Sequence, residues 1–70
     1  MNNVVLIDGN SITLGQFLKL TKIISTGGQA KFFIETNNIK INNNVVNGRN
    51  TKIFSGDVVW INNKAYFVKN

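Results

Sequence analysis

The chain has 70 residues, 43% of them hydrophobic, and a mean hydropathy of -0.01, which limits it to one small domain with a modest core. It contains no Cys and no His, and this excludes a disulfide framework, a thiol nucleophile, a Cys/His zinc site and an imidazole base. Eight Lys and Arg against three Asp and Glu give a net charge of +5 and a pI near 10.0, which favours a polyanionic partner such as nucleic acid or an anionic membrane surface.

A first strand is predicted near the start of the chain, from Asn3 to Ile7. Its apolar run is too short for a membrane span or a signal peptide, and no basic leader precedes it. Asp8-Gly9-Asn10 then predicts a turn. We therefore expect a single cytoplasmic domain over residues 1–70.

Two helices are predicted next, because the pattern Thr-x-x-Gln occurs at Thr13–Gln16 and again at Thr26–Gln29. In this capping box the Thr hydroxyl accepts a backbone N–H, and the Gln side chain accepts the N–H of the cap residue. Two helix starts so close together indicate a helical hairpin. The first helix places Gln16, Lys19 and Lys22 on one face and its apolar residues on the other. These apolar residues are Leu14, Phe17, Leu18, Leu20, Ile23 and Ile24.

The corner between the helices is Gly27-Gly28, followed by Gln29 and Lys31. Free backbone N–H groups, the partial positive charge of a helix start and a lysine together suit an anion. A tight turn explains the two glycines equally well. For Lys31 the competing interpretation is an ordinary i,i+4 pair with Glu35.

The rest of the chain predicts strands joined by Asn-rich turns. Asn37-Asn38 ends the second helix. Residues 39–41 and 45–46 predict one hairpin, and residues 58–61 and 65–68 predict another. A polar loop at residues 47–52 lies between them. One strand, two helices and then a small, mostly antiparallel sheet define the class as α+β.

The aromatic residues divide by their place in these elements. Phe17, Phe33 and Phe54 are predicted to lie in the core, and Trp60 in the core or at a sheet edge. For Phe32 the pattern favours packing at the edge of the sheet over stacking on an unpaired base.

The three carboxylates, Asp8, Glu35 and Asp57, lie in different predicted elements. This arrangement offers no paired acid and base and no carboxylate-rich metal site. Asp57 follows Gly56 in a turn and is expected to bind local backbone N–H groups. The sequence therefore predicts no enzyme, no metal and no cofactor.

Three segments together resemble the alpha-L RNA-binding domain, which is named after the fourth protein of the small ribosomal subunit. They are TGGQAKFFI at residues 26–34, IKINN at residues 39–43 and GDVV at residues 56–59. With TLGQFLK at residues 13–19, the chain is more similar still to a short bacterial subfamily in which this domain stands alone. Asn43 stands where the family has a turn glycine, a substitution that Asn allows because it accepts positive φ.

The resemblance implies a helical hairpin packed on a small sheet, and an RNA backbone held by one face of that hairpin and by the loop after it. It also implies a partner in ribosomal RNA or a ribosomal subunit, during assembly of the large subunit. We expect a monomer without a small-molecule substrate or a membrane contact. The implied contact residues are Lys19, Lys22, Thr26, Gly27, Gly28, Gln29, Lys31, Arg49 and Lys52.

Four alternatives remain open at this stage. One is a protein-interaction adaptor that contacts ribosomal protein more than RNA, which the Asn-rich turns would suit. The helix lysines are also consistent with an ordinary solvated face. A protein-interaction module of the β-grasp type has a similar size, although the Gly-Gly pair here is internal rather than at a flexible tail. A subunit of an RNA-modifying enzyme would need its catalytic groups from a partner.

Overall fold

The structure is a computed structural model that describes residues 3–46 and 48–70. It contains seven strands and two helices within these residues, in an α+β arrangement, as predicted. In chain order the elements are β1 (Val4–Leu6), β2 (Ser11–Thr13), α1 (Leu14–Leu20), α2 (Gln29–Thr36), β3 (Ile39–Ile41), β4 (Asn44–Val45), β5 (Lys52–Phe54), β6 (Val58–Ile61) and β7 (Lys64–Lys69).

Five strands form the main sheet in the order β1-β7-β6-β3-β4. The β1–β7 pair is parallel, and the other pairs are antiparallel. Side chains alternate between the two faces of the sheet: Ile39 and Ile41 are buried while Lys40 is exposed, and Val59 is buried beside the exposed Trp60. The buried face forms one core with the helices, through residues such as Leu14, Phe17, Leu18 and Ala30.

A second, two-stranded sheet joins β2 to β5, in the register Ser11↔Phe54 and Thr13↔Lys52. The sequence predicts a turn at residues 8–10 and a helix cap at Thr13, with no strand between them. Ile53 is fully buried between two exposed neighbours, so Phe54 points outward, and its prediction as a core residue is wrong. Thr13 is both the last residue of β2 and the N-cap of α1, so this ribbon sets where α1 begins.

Both sides of the capping box predicted for α1 are present. The Thr13 hydroxyl accepts the N–H of Gln16 at 3.2 Å, and the Gln16 side chain accepts the N–H of Thr13 at 3.0 Å. The helix is shorter than the apolar spacing predicted, because it ends at Leu20. Leu20 is exposed rather than core, whereas Ile24 is buried although it lies beyond the helix.

The end of α1 forms a Schellman motif. The N–H of Ile23 donates to the carbonyl of Leu18 at 3.0 Å, and the N–H of Lys22 donates to that of Lys19 at 3.0 Å. Lys22 occupies the position at which glycine is usual, with φ of 63°. A left-handed conformation costs an L-residue roughly 1–2 kcal/mol.

Lys22→Gly is therefore expected to raise the free energy of unfolding by about 0.5–1 kcal/mol, since glycine accepts positive φ but loses more backbone entropy on folding. Urea unfolding monitored by circular dichroism measures the change. Thr21→Gly is the control. Thr21 already has a right-handed helical conformation, so glycine relieves no strain there and should lower the free energy of unfolding. A loss of stability in Lys22→Gly would contradict the expected strain.

Asparagine closes both ends of the β3–β6 ladder. At one end the N–H of Asn42 donates to the carbonyl of Val58 at 2.7 Å, and the Asn42 side chain accepts the N–H of Val58 at 3.1 Å. At the other end the N–H of Asn62 donates to the carbonyl of Asn38 at 2.7 Å, and the Asn62 side chain accepts the N–H of Asn38 at 3.2 Å. Asn42 and Asn62 have φ of 57° and 56°. The positive φ predicted for Asn43 thus falls one residue earlier.

Candidate nucleic-acid interface

The loop after β4 is held against the start of α1. The carbonyl of Arg49 accepts the N–H of Gly15 at 2.9 Å, and the carbonyl of Thr51 accepts that of Leu14 at 2.8 Å. A Cβ placed on Gly15 would lie 3.5 Å from both the Cβ and the carbonyl oxygen of Arg49, so this glycine lies in close contact with the loop. Because these bonds and the Thr13 cap use the first N–H groups of α1, that helix start is not an anion site.

Arg49 lies beside two shallow surface depressions on the helical side of the molecule. The first, which we call the Lys19 depression, is lined by Thr13, Gly15, Gln16, Lys19, Gly27, Arg49 and Asn50. The second, the Lys31 depression, is lined by Lys31, Ile34, Glu35, Gly48 and Arg49. The structure therefore brings together three of the predicted cations, Lys19, Lys31 and Arg49, although Arg49 is distant from the helices in sequence.

Glu35 distinguishes the two depressions. It lies in the Lys31 depression one helical turn after Lys31, so a carboxylate offsets part of the positive charge there. The residues that line the Lys19 depression include no carboxylate. An anion is therefore favoured more strongly beside Lys19 and Arg49 than beside Lys31.

At the corner between the helices the second capping box is only half formed. The Gln29 side-chain oxygen accepts the N–H groups of Ser25 and Thr26, at 2.7 and 3.2 Å. However, the N-cap of α2 is Gly28, without a side-chain hydrogen bond, so the prediction that the Thr26 hydroxyl caps the helix is wrong. The helix starts late enough that its first two N–H groups donate to the carbonyls of Thr26 and Gly27.

Neither glycine of the corner is required by backbone geometry. Gly28 has φ of -67°, and Gly27 is not among the residues with positive φ. A Cβ on Gly27 would meet nothing within 4 Å, and one on Gly28 would meet only the Thr26 hydroxyl at 3.9 Å. In the described part of the chain, the N–H groups of Gly27 and Gly28 donate no hydrogen bond. These features indicate an open backbone that a ligand can approach. They do not indicate a turn that requires glycine.

The other predicted contact residues lie further out. Lys22 is exposed at the end of α1, and Lys52 is exposed on β5 opposite Thr13. Neither lines the Lys19 or the Lys31 depression. They therefore do not form the centre of this surface.

Two residues near this surface were assigned differently by the sequence. Phe32 is 71% exposed, so the prediction that it packs at the edge of the sheet is wrong. It lines a further depression together with Gly28 and Gln29. Gln16, which the sequence places on one helix face with Lys19 but not among the RNA contacts, also lines the Lys19 depression. Its spacing of three from Lys19 was the signal that places both on one helix face.

Comparison with known proteins gives two findings. The family model described as "S4 domain" matches residues 5–69. The chain is also similar to the "Probable ribosome maturation protein RlbA" of Bacillus subtilis (strain 168), with 46% identity over 61 residues, which cover 87% of this chain and 86% of that protein. No solved structure matches significantly.

Proposed function

Because this chain belongs to the S4 domain family, an alpha-L type of RNA-binding domain, we propose that it binds ribosomal RNA during maturation of the ribosome, with the large subunit as its target. The name of the Bacillus subtilis relative supports a role in ribosome maturation. The proposed role involves no catalysis and no small-molecule substrate. We propose that the protein acts as a monomer in the cytoplasm.

The placement of Arg49 is the observation that carries this proposal. Its backbone is fixed by the hydrogen bond from Gly15, and the residue lines both the Lys19 and the Lys31 depressions. A guanidinium in that position can donate two parallel hydrogen bonds to one phosphate. Lys19 then neutralises the same phosphate or its neighbour, and Lys31 a further one along the strand. Contacts of this kind set position and affinity rather than sequence preference.

The Gly-Gly corner supplies the neutral donors. Gly27 lines the Lys19 depression together with Lys19 and Arg49, and its N–H donates no hydrogen bond within the described residues. The oxygen of the Gln29 side chain holds the N–H groups of Ser25 and Thr26, which fixes the corner before RNA arrives. The amide nitrogen of Gln29 keeps its donors for a phosphate oxygen. In this proposal Thr26 and Gly28 contact the RNA backbone next to the phosphate that Gly27 binds.

The flanking residues extend the contact. Lys22 and Lys52 neutralise phosphates on either side of the Lys19 depression. Lys22 adopts a strained backbone conformation that glycine would relieve, and a strained residue at a ligand surface supports a functional role. Phe32 is exposed beside the corner and offers its ring for stacking on an unpaired base.

The salt dependence of binding tests the phosphate mechanism. About four to five phosphate contacts give a slope of about -3 to -4 in a plot of log affinity against log salt concentration. Raising KCl from about 50 to about 200 mM should therefore weaken binding to purified large-subunit ribosomal RNA about 60- to 250-fold. Fluorescence anisotropy of the labelled protein measures this, and co-sedimentation with purified subunits checks it on the assembled particle.

Two results would contradict the proposal. The first is an affinity that does not change with salt concentration, which would exclude phosphate contacts as the main contribution to the binding free energy. The second is binding to intact subunits without binding to bare RNA, which would favour an adaptor that docks on ribosomal protein.

A further inference from the structure

The main sheet has an open face on the side away from the helices, which we call the outer face. The register places the outward side chains of neighbouring strands side by side: Lys40 is paired with both Val45 and Trp60, and Phe67 with both Val4 and Val58. Val58 is half-buried on this face, and five large hydrophobic residues are exposed to solvent. They are Val4, Leu6, Val45, Trp60 and Phe67.

Two aromatic rings lie on neighbouring strands of the outer face. Trp60 on β6 is 39% exposed, and Phe67 on β7 is 46% exposed. Trp60 is opposite Ala65 and Phe67 is two residues further along β7, so the two aromatic residues are diagonal neighbours. Ordinary sheet geometry puts such neighbours about 7–8 Å apart. Exposed aromatic residues on adjacent strands are how sheet-based RNA-binding modules stack two or three unpaired bases.

Polar groups for a nucleotide surround Trp60. A shallow depression beside its ring is lined by Lys40 and by the asparagines of both hairpin turns. The side chains of Asn42 and Asn62 are committed to the ends of the β3–β6 ladder. The amides of Asn43 and Asn63 make no hydrogen bond within the part of the chain that the structure describes, and both are exposed. An amide of this kind can donate to and accept from the edge of a base.

The charge of the outer face favours a polyanion. Lys40 lies directly opposite Trp60, and Lys69 lies two residues beyond Phe67 on the same face of β7. Both lysines are exposed. The nearby carboxylate of Asp57 is turned to the protein, where its oxygens accept the N–H of Phe54 at 2.8 Å and the amide of Asn42 at 3.3 Å. An apolar or acidic protein surface would fit this combination of lysines, amides and aromatic rings less well than a nucleotide strand.

We propose that the outer face is a second RNA site, which binds unpaired nucleotides. Trp60 and Phe67 stack on two successive bases, Asn43 and Asn63 hydrogen-bond to the edge of the base on Trp60, and Lys40 and Lys69 contact the flanking phosphates. This proposal takes RNA as the ligand class from the proposed function, but it uses none of the residues of the helical side. The two surfaces lie on opposite sides of the sheet, so one protein can hold two segments of a folded RNA.

Trp60 is the single tryptophan of the chain, so its fluorescence reports this site directly. Unlabelled oligouridylate of about eight nucleotides, within the usual site size for single strands, should quench Trp60 in a saturable way. Polyphosphate of similar length carries the charge but no bases, and should leave the emission unchanged even where it binds the helical side. The substitution Trp60→Ala should weaken binding of labelled oligouridylate about 5- to 150-fold, the effect of removing one stacked base.

Two matched variants separate this site from the rest of the molecule. Lys40→Gln should weaken binding of the oligouridylate that quenches Trp60 fluorescence. Lys64→Gln removes the same charge from a lysine that lies 5.5 Å from the Tyr66 ring centroid, and should leave quenching unchanged. Circular dichroism should show all three variants folded, because the altered side chains are not in the core.

Each other outcome overturns a defined part of the proposal. Oligouridylate that binds by anisotropy without quenching Trp60 would overturn the second site and leave the proposed function intact. Equal quenching by polyphosphate would show a charge effect without stacking. If intact subunits protect Trp60 from iodide while neither oligouridylate nor bare ribosomal RNA does, the outer face does not bind unpaired nucleotides and the proposal is wrong. Failure of every RNA to bind would overturn both proposals.

Discussion

Arg49→Glu is expected to weaken binding to large-subunit ribosomal RNA about 10- to 100-fold, the largest effect of any single charge reversal on the helical side. Arg49 borders both the Lys19 and the Lys31 depressions, so its reversal removes one guanidinium donor and repels phosphates on two sides. The salt slope should become shallower by about 0.7–0.9 for each phosphate that the variant no longer neutralises. Anisotropy titrations at several KCl concentrations measure both quantities.

The control for this variant is Lys64→Glu, which changes the net charge by the same amount at an exposed residue of β7. It should weaken binding only slightly, through the long-range field of the protein. Lys31→Glu should have a smaller effect than Arg49→Glu, because Glu35 already offsets charge in the Lys31 depression. Equal reductions in affinity for Arg49→Glu and Lys64→Glu would show that net charge, and not this surface, determines binding.

Asn62→Ala is expected to lower the free energy of unfolding by about 2 kcal/mol, a large part of the stability of a domain of this size. Alanine is strained at φ of 56° by about 1 kcal/mol. The variant also loses the bonds of the Asn62 side chain to the N–H of Asn38 and to the amide oxygen of Asn37, each at 3.2 Å. The melting temperature should fall by roughly 8–16 °C, measured by thermal unfolding.

Two variants in the same turn separate the causes. Asn62→Gly relieves the backbone strain but still loses the side-chain bonds, so it should destabilise by about half as much. Asn63→Ala changes the exposed neighbour in the same turn and should have an effect within about 0.5 kcal/mol. Were Asn62→Ala as stable as the parent, the closure of the β3–β6 ladder by Asn62 would contribute nothing.

The sequence predicted best those features that depend on neighbouring residues. The capping box at Thr13 is contained in four residues, and the hairpin turns at Asn42 and Asn62 follow from the backbone freedom of asparagine. The box at Thr26 failed in part, because helix α2 begins after Gly28 and the Thr26 hydroxyl is then too early to cap it. A local pattern thus predicts an element better than it predicts the bounds of that element.

The features that were missed depend on contacts between distant parts of the chain. The β2–β5 pair joins strands of three residues each, too short for alternation to be visible. The family resemblance implied that Arg49 and Lys19 share a surface, but no local spacing encodes it, because it arises where the loop carbonyls accept the first N–H groups of α1. The outward direction of Phe54 and Trp60 follows from register, and register requires the pairing partner.

The parallel pairing of β1 with β7 has a consequence for how the chain assembles. Val4 lies beside Phe67, so β1 reaches its place only when nearly the whole chain has been ordered. The hairpins β3–β4 and β6–β7, with their two-residue turns, enclose short loops and cost little entropy to close. Folding is therefore expected to start in these hairpins and to end when β1 joins the edge. A nascent chain would therefore keep β1 unpaired until β7, the strand that it pairs with, is free to fold.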